Sequence, residues 1–121
     1  MKRMIGSVGV LVGVLAMAAP VAAADLFAAI AFSPSTGKAG SALNNDSGDI
    51  AETEAFLQCG SPDCYTAVVF QQCGALAVGD GYGMGFAADA TSAAAEESAL
   101  ASCNSFTTNC AVTASACNDG S

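Results

Sequence analysis

Carboxylates and cysteines are the side chains in this sequence with chemistry to offer. There are eleven Asp and Glu, six Cys, no His, and beyond position 24 a single basic residue, Lys38. Without His, neither a Ser-His-Asp nor a Cys-His nucleophile system can be assembled. One Lys and no Arg in the same stretch give no clamp for phosphate. The best remaining pair is Glu52 and Glu96, which stand at matching places in two similar segments. Carboxylates ~5 to 9 Å apart can share acid and base roles on a glycosidic bond, so a hydrolase of envelope glycans is one reading. The more economical one is that both sit in the first turn of a helix, where negative charge suits the macrodipole. Residues 44–49, Asn-Asn-Asp-Ser-Gly-Asp, carry oxygen ligands but not the spacing of an EF-hand, and read as a loop leading into a helix. The cysteines show no C-x-x-C spacing, and no metal site or cofactor is expected from them.

The elements that carry these residues occur twice. Residues 51–59, Ala-Glu-Thr-Glu-Ala-Phe-Leu-Gln-Cys, return 44 positions later at 95–103 as Ala-Glu-Glu-Ser-Ala-Leu-Ala-Ser-Cys. Each copy predicts a short helix ending in Cys, which makes the chain a duplication of one supersecondary unit. In the first unit, residues 26–32 form an apolar run of strand length, a turn at 33–37 leads to a second strand at 38–43, and Asp49 with Glu52 predicts a capping box for the helix. Its apolar side is Ala51, Ala55, Phe56 and Cys59, and Gly60 closes it as a left-handed cap. Residues 65–70, rich in β-branched and aromatic side chains, form the third strand. The second unit follows the same order with strands at 73–78, 81–88 and 111–116. Thr91 or Ser92 caps its helix, and Asn104 stands in the cap position of Gly60. The expected fold is therefore α+β: a pseudo-twofold duplication of a strand-strand-helix-strand unit (unit one 26–72, unit two 73–117), with antiparallel sheets, two short helices and disulfide staples.

The repeat also constrains the cysteines. Six allow 15 pairings, and the exchange of Cys59 with Cys103, Cys64 with Cys110, and Cys73 with Cys117 favours Cys59–Cys64, Cys103–Cys110 and Cys73–Cys117. The first two bridge a short turn after each helix, and the third is expected to staple one unit to the other. Between Gly79 and Phe86 every second residue is Gly. Read as a strand, this lines one face with glycine, where the two halves would pack closely. Its functional reading is an open groove with Asp80, Tyr82, Met84 and Phe86 as a binding surface. The G-x-G-x-x-A match at Gly83–Ala88 lacks a parallel βαβ setting and is a chance match to a dinucleotide loop.

Residues 1–24 read as a signal peptide: Lys2 and Arg3, an apolar run from Ile5 to Met17, and Ala22-Ala23-Ala24 as the cleavage site. The run is shorter than the ~20 residues of a span, so no membrane span is expected after cleavage. What remains, residues 25–121, is one small domain in which Lys38 opposes all eleven carboxylates, a formal charge of about −10. That balance excludes nucleic acid as a partner and favours a basic protein or a cationic envelope component. Six cysteines in so short a chain imply export to an oxidising compartment, periplasmic or extracellular.

The strand at 26–31 (Leu-Phe-Ala-Ala-Ile-Ala), the helix at 51–59, Cys64, the run Cys73-Gly74-Ala75-Leu76-Ala77, the Gly-rich stretch at 79–85 and the helix at 95–103 together resemble domain of unknown function 4189, over nearly all of residues 25–121. Such domains often carry a Trp in the first strand and in the Gly-rich strand. Phe27, and Tyr82 or Phe86, occupy those places here. The resemblance implies a small exported bacterial protein with a duplicated, disulfide-bonded α+β domain, and it brings no catalytic residues. The expected function is a non-catalytic exported binding module. A glycan hydrolase using Glu52 and Glu96 and a structural envelope protein are the alternatives.

Overall fold

A computed structural model describes residues 26–119; the signal-peptide reading of residues 1–24 lies outside them. The elements run β1 (Phe27–Phe32), β2 (Ala39–Asn45), α1 (Gly48–Cys59), β3 (Tyr65–Phe70), β4 (Cys73–Val78), a 3-10 turn (Asp80–Tyr82), β5 (Met84–Asp89), α2 (Ser92–Asn104) and β6 (Ala111–Cys117). Strand-strand-helix-strand thus occurs twice. Each set builds its own antiparallel sheet, in the order β2-β1-β3 and β5-β4-β6. The duplication reaches down to register. The β1–β3 ladder slips between Ile30 and Ala31, and the β4–β6 ladder slips between Leu76 and Ala77, the corresponding place.

The two central strands explain the layering. β1 is buried on both faces, which is why it reads as an unbroken apolar run. Ala29 and Ala31 face Ala51, Ala55 and Cys59 of α1, whereas Ala28, Ile30 and Phe32 meet Phe70 and, from the other sheet, Leu76. β4 repeats the division, with Ala75 and Ala77 against Ala95, Ala99 and Cys103 of α2. The molecule is a stack of helix, sheet, sheet, helix, in which the two units lie back to back. Within the central layer β1 lies against β4, β2 against β6, and β3 against β4 and β5.

Several local expectations are corrected. The cap of α1 is Ser47, whose hydroxyl accepts the Ile50 N–H, and not Asp49, which lies inside the first turn. Thr91 caps α2 in the same way, accepting from Ala94. Gly60 does end α1 with φ of 77°. Asn104, however, is still helical: Ser105 follows with φ of −80°, and Asn109 takes the left-handed conformation instead. The longer loop before Cys110 moves the reversal downstream. Phe56 is not on the buried side of α1, because only the narrow i, i+4, i+8 stripe Ala51, Ala55 and Cys59 reaches the sheet.

That stripe is narrow because the helices lie on bare backbone. A β-carbon at Gly40 would run into Cys59 N and Ala55 O, and one at Gly85 into Cys103 N and Ala99 O. The alternating glycines therefore do not form one face between the halves. Gly85 receives the helix of its own unit, Gly79 and Gly83 lie against Thr107 and Thr108, and Gly81 faces open space. β5 begins at Met84 rather than at Gly81, because Gly81 (φ 65°) and Tyr82 (φ 61°) turn the chain left-handed. β2 extends to Asn45 and absorbs two residues of the expected loop.

Candidate functional site

Three disulfides join Cys59 to Cys64, Cys103 to Cys110 and Cys73 to Cys117, with Cα separations of 6.3, 6.1 and 4.0 Å. These are the pairs the repeat favours. The first two lock the end of each helix to the strand that follows, and such bridges imply an oxidising environment. The third differs from expectation in its role. Cys73 and Cys117 are directly opposite in the β4–β6 ladder, so their bridge lies inside the second sheet and does not cross between units.

A polar tie between the units is made by Asn118, which sequence reading did not single out. It is buried, its Oδ1 accepts the Asn44 N–H at 2.7 Å, and its Nδ2 donates to the carbonyls of Gln71 (2.9 Å) and Leu26 (3.3 Å). Its own backbone N–H donates to Gln72 O, and the next N–H, of Asp119, donates to Asn44 Oδ1. One amide thus satisfies backbone groups at the start of β1, near the end of β2 and in the β3–β4 link. A lone Asn after the last strand carries no sequence signal for this.

Aspartates clamp the opposite end of each unit. In unit one, Asp63 in the α1–β3 loop accepts from Ser33 Oγ (2.6 Å) and the Ser35 N–H (3.0 Å) of the β1–β2 hairpin. Fully buried Ser33 in turn accepts from Thr36 Oγ1 and N–H, and Thr36 Oγ1 meets Ser61 Oγ. The donation from Ser33, then that from Ser35, holds the Asp63 carboxyl below its ordinary value of 3.8. In unit two the partners exchange loops. Asp80, in the β4–β5 turn, accepts from Thr108 Oγ1 and Asn109 Nδ2 of the α2–β6 loop, and its carbonyl accepts from Thr107 Oγ1.

Glu52 and Glu96 each belong to a similar internal contact. Glu52 Oε1 accepts from Thr66 Oγ1 of β3, and Glu96 Oε2 from Ser115 Oγ of β6. They lie on opposite outer helices with two sheets between. Sheets alone pack ~10 Å apart, so the carboxylate pair a glycosidase uses is not assembled. Among the described residues no group of three or more Cys, Asp or Glu side chains is gathered as a metal site would need, and no described helix is long and apolar enough to cross a membrane.

Exposed apolar side chains occur at several places, Leu57 on α1 and Phe106 after α2 among them, and three aromatic ones gather along the rim where β3 and β5 meet. Met84 and Phe86 of β5 share a face, opposite Gly85. Met84 packs into the central layer with its Sδ 3.9 Å from Tyr65 Oη, whereas Tyr65, Tyr82 and Phe86 are each 45 or 46 % exposed. Tyr82 lies across Gly37 of the other unit's hairpin, where an added β-carbon would come within 2.6 Å of its ring. Farther along β5 the rim opens into a cleft of about 370 Å³ lined by Phe27, Val69, Phe70, Gln71, Gln72, Cys73, Ala88 and Asp89. Of the four residues of the expected surface, Tyr82 and Phe86 are therefore on it, Met84 is its floor, and Asp80 is held at its end by the loop clamp. On the other side of the stack, β2 and β6 border a second cleft, of about 510 Å³, whose lining is mostly small or polar: Gly40, Ser41, Gln58, Thr113 and Ser115, with Ala39 and Ala114.

A family model described as "Domain of unknown function (DUF4189)" matches residues 27–117, from the first residue of β1 to the last of β6. The chain belongs to the DUF4189 family. The NMR structure of Rv1813c from Mycobacterium tuberculosis resembles this DUF4189 domain with a TM-score of 0.59 and 31 % sequence identity, over 78 % of this chain and 76 % of that one. No curated protein matches. Neither the family nor the similar structure is described by an activity, so functional argument for this DUF4189 domain returns to its own surface.

Proposed function

We propose that this DUF4189 domain is an exported, non-catalytic binding module that engages a basic protein or a cationic envelope component through the β3/β5 rim. Residues 1–24 serve as its signal peptide, and it works in the periplasm or outside the cell. The carrying observation is the rim itself: Tyr65, Tyr82 and Phe86 stand half-exposed on a rigid, cross-linked scaffold, in a chain of formal charge −8 with acidic residues at the ends of β5. Exposed aromatics on a preorganised frame supply contact area at little entropic cost, and they are the residue types that dominate binding hot spots. The acidic field draws a basic partner and sets how strongly salt weakens the encounter.

Affinity capture from envelope extracts tests this reading. The protein should retain a basic partner whose recovery falls as ionic strength rises from ~0.05 to ~0.3 M, across which the screening length shortens more than twofold. Tyr82→Ser with Phe86→Ser should abolish that recovery, and Glu52→Gln with Glu96→Gln should not. Recovery that ignores both salt and the rim variant would defeat the proposal.

A further inference from the structure

We infer that the partner contributes an extended, basic segment that adds as a new strand to the free edge of β5. The inference rests on the reading of the rim as the binding surface and adds the form of what binds there.

β5 is hydrogen-bonded to β4 on one side and ends the second sheet on the other. An edge strand turns a row of N–H and C=O groups outward, and proteins usually blunt such an edge with Lys, Pro or a bulge. β5 has none of these. Its sequence, Met84-Gly85-Phe86-Ala87-Ala88-Asp89, contains no Lys and no Pro, and its ladder with β4 keeps register over all six pairs. The ladders of the other three edge strands, β2, β3 and β6, each contain a register shift. β5 is therefore the regular edge among four, and the one most able to template another strand.

The surroundings specify what kind of strand fits. Phe86 and Ala88 are exposed along one face, and the cleft of about 370 Å³ opens at Ala88 and Asp89, so alternate side chains of an added strand would have an apolar surface and a recess to fill. Carboxylates mark both ends: Asp89 is the last residue of β5, and Asp80 sits in the turn before it, oriented by Thr108 and Asn109. At ~3.3 Å per residue, a segment of about seven residues with Lys or Arg near each end spans both. A second copy of this chain would bring further negative charge to the same edge, so a basic partner is the better fit.

The test is NMR on the ¹⁵N-labelled protein titrated with an eight-residue peptide of alternating Lys and Val, beside the same peptide N-methylated at every second backbone nitrogen. The first peptide should slow hydrogen exchange at the outward amides of residues 84–89. N-methylation removes its ladder donors while keeping its charge, and should weaken binding by about tenfold or more. Binding that is indifferent to N-methylation, shifts that map to β3 or to the β2/β6 cleft, or no binding at all would overturn strand addition. Any of these would leave the capture experiment as the separate judge of the rim. Protection of β5 that grows with protein concentration without peptide would point to self-pairing and equally overturn the basic segment.

Discussion

The central sheet-sheet layer and the two outer helix-sheet layers of this molecule are filled by opposite means. Between the sheets, Ile30, Phe32, Phe70 and Leu76 interlock as large side chains. Under each helix the contact is made by Ala and Cys, with the helix backbone resting on Gly40 or Gly85. Separation between layers is thus set by side-chain volume in one case and by its absence in the other. The outer layers need a fixed helix position, and the corner disulfides Cys59–Cys64 and Cys103–Cys110 supply it at the helix end. The two kinds of layer should answer mutation with opposite sensitivities.

The largest effect is expected from emptying the centre. Phe32 is fully buried in the cluster with Ile30, Phe70 and Leu76. Phe32→Ala should lower stability by about 3–5 kcal/mol, read as a fall in the denaturant midpoint. A loss below about 1 kcal/mol would mean that the central layer is not the tightly packed one. Enlarging an outer layer comes next. Gly85→Ala drives a methyl into the backbone of α2, and overpacking of this kind costs about 1–3 kcal/mol. Gly40→Ala should cost a similar amount, and the two should add, because they touch different helices on opposite faces. If either were neutral, the close helix approach would be wrong.

A smaller effect should follow Asn118→Ala, which removes the amide joining the β1, β2 and β3–β4 backbones without changing either kind of layer. Asn44 and Gln71 are exposed, so water can take over part of the lost bonding, and a loss of about 1–2 kcal/mol is expected. Hydrogen exchange at the Asn44 amide should rise more than at the cores of β1 and β4. A uniform rise would instead show that Asn118 acts through global stability alone.

How much of this was legible follows from what kind of signal each layer leaves. Helices, strands and the duplication announce themselves by period and by the repeated Ala and Cys of 51–59 and 95–103, and the repeat in turn constrains the cysteines. Gly85 was visible as a glycine in a strand, but a stretch of alternating glycines reads as one face, and only φ values of 65° and 61° at Gly81 and Tyr82 show that a turn interrupts it. Gly40 is a single glycine inside a strand, which no local pattern marks, although it carries the same contact. The expected surface of Asp80, Tyr82, Met84 and Phe86 assumed side-chain alternation from Asp80 onward. That holds only from Met84, which is why Asp80 belongs to a clamp. Ser33, Asp63 and Asn118 are common loop residue types, and their roles depend on contacts 30, 30 and 74 positions away, which no local pattern encodes.

The smallest effect concerns the clamps, which hold the hairpin to the loop after each helix and so bear on the outer layers only at their ends. Asp63 keeps a carboxyl lowered below 3.8 in the folded chain by the Ser33 hydroxyl first and Ser35 second. Its contribution to stability is therefore complete at pH above that ordinary value and disappears as pH falls through the lower folded value. Asp63→Asn keeps an acceptor for Ser33 but removes the charge. Wild type should then exceed the variant at about pH 5, and the gap should close progressively once the pH drops below about 4. Because Asp63 is exposed to solvent, the gap should be smaller than that produced by either Gly85→Ala or Phe32→Ala. Urea midpoints measured across that range decide it. A gap that persists unchanged at low pH would show that the Asp63 clamp acts through the shape of its hydrogen bonds to Ser33 and Ser35 and not through its charge.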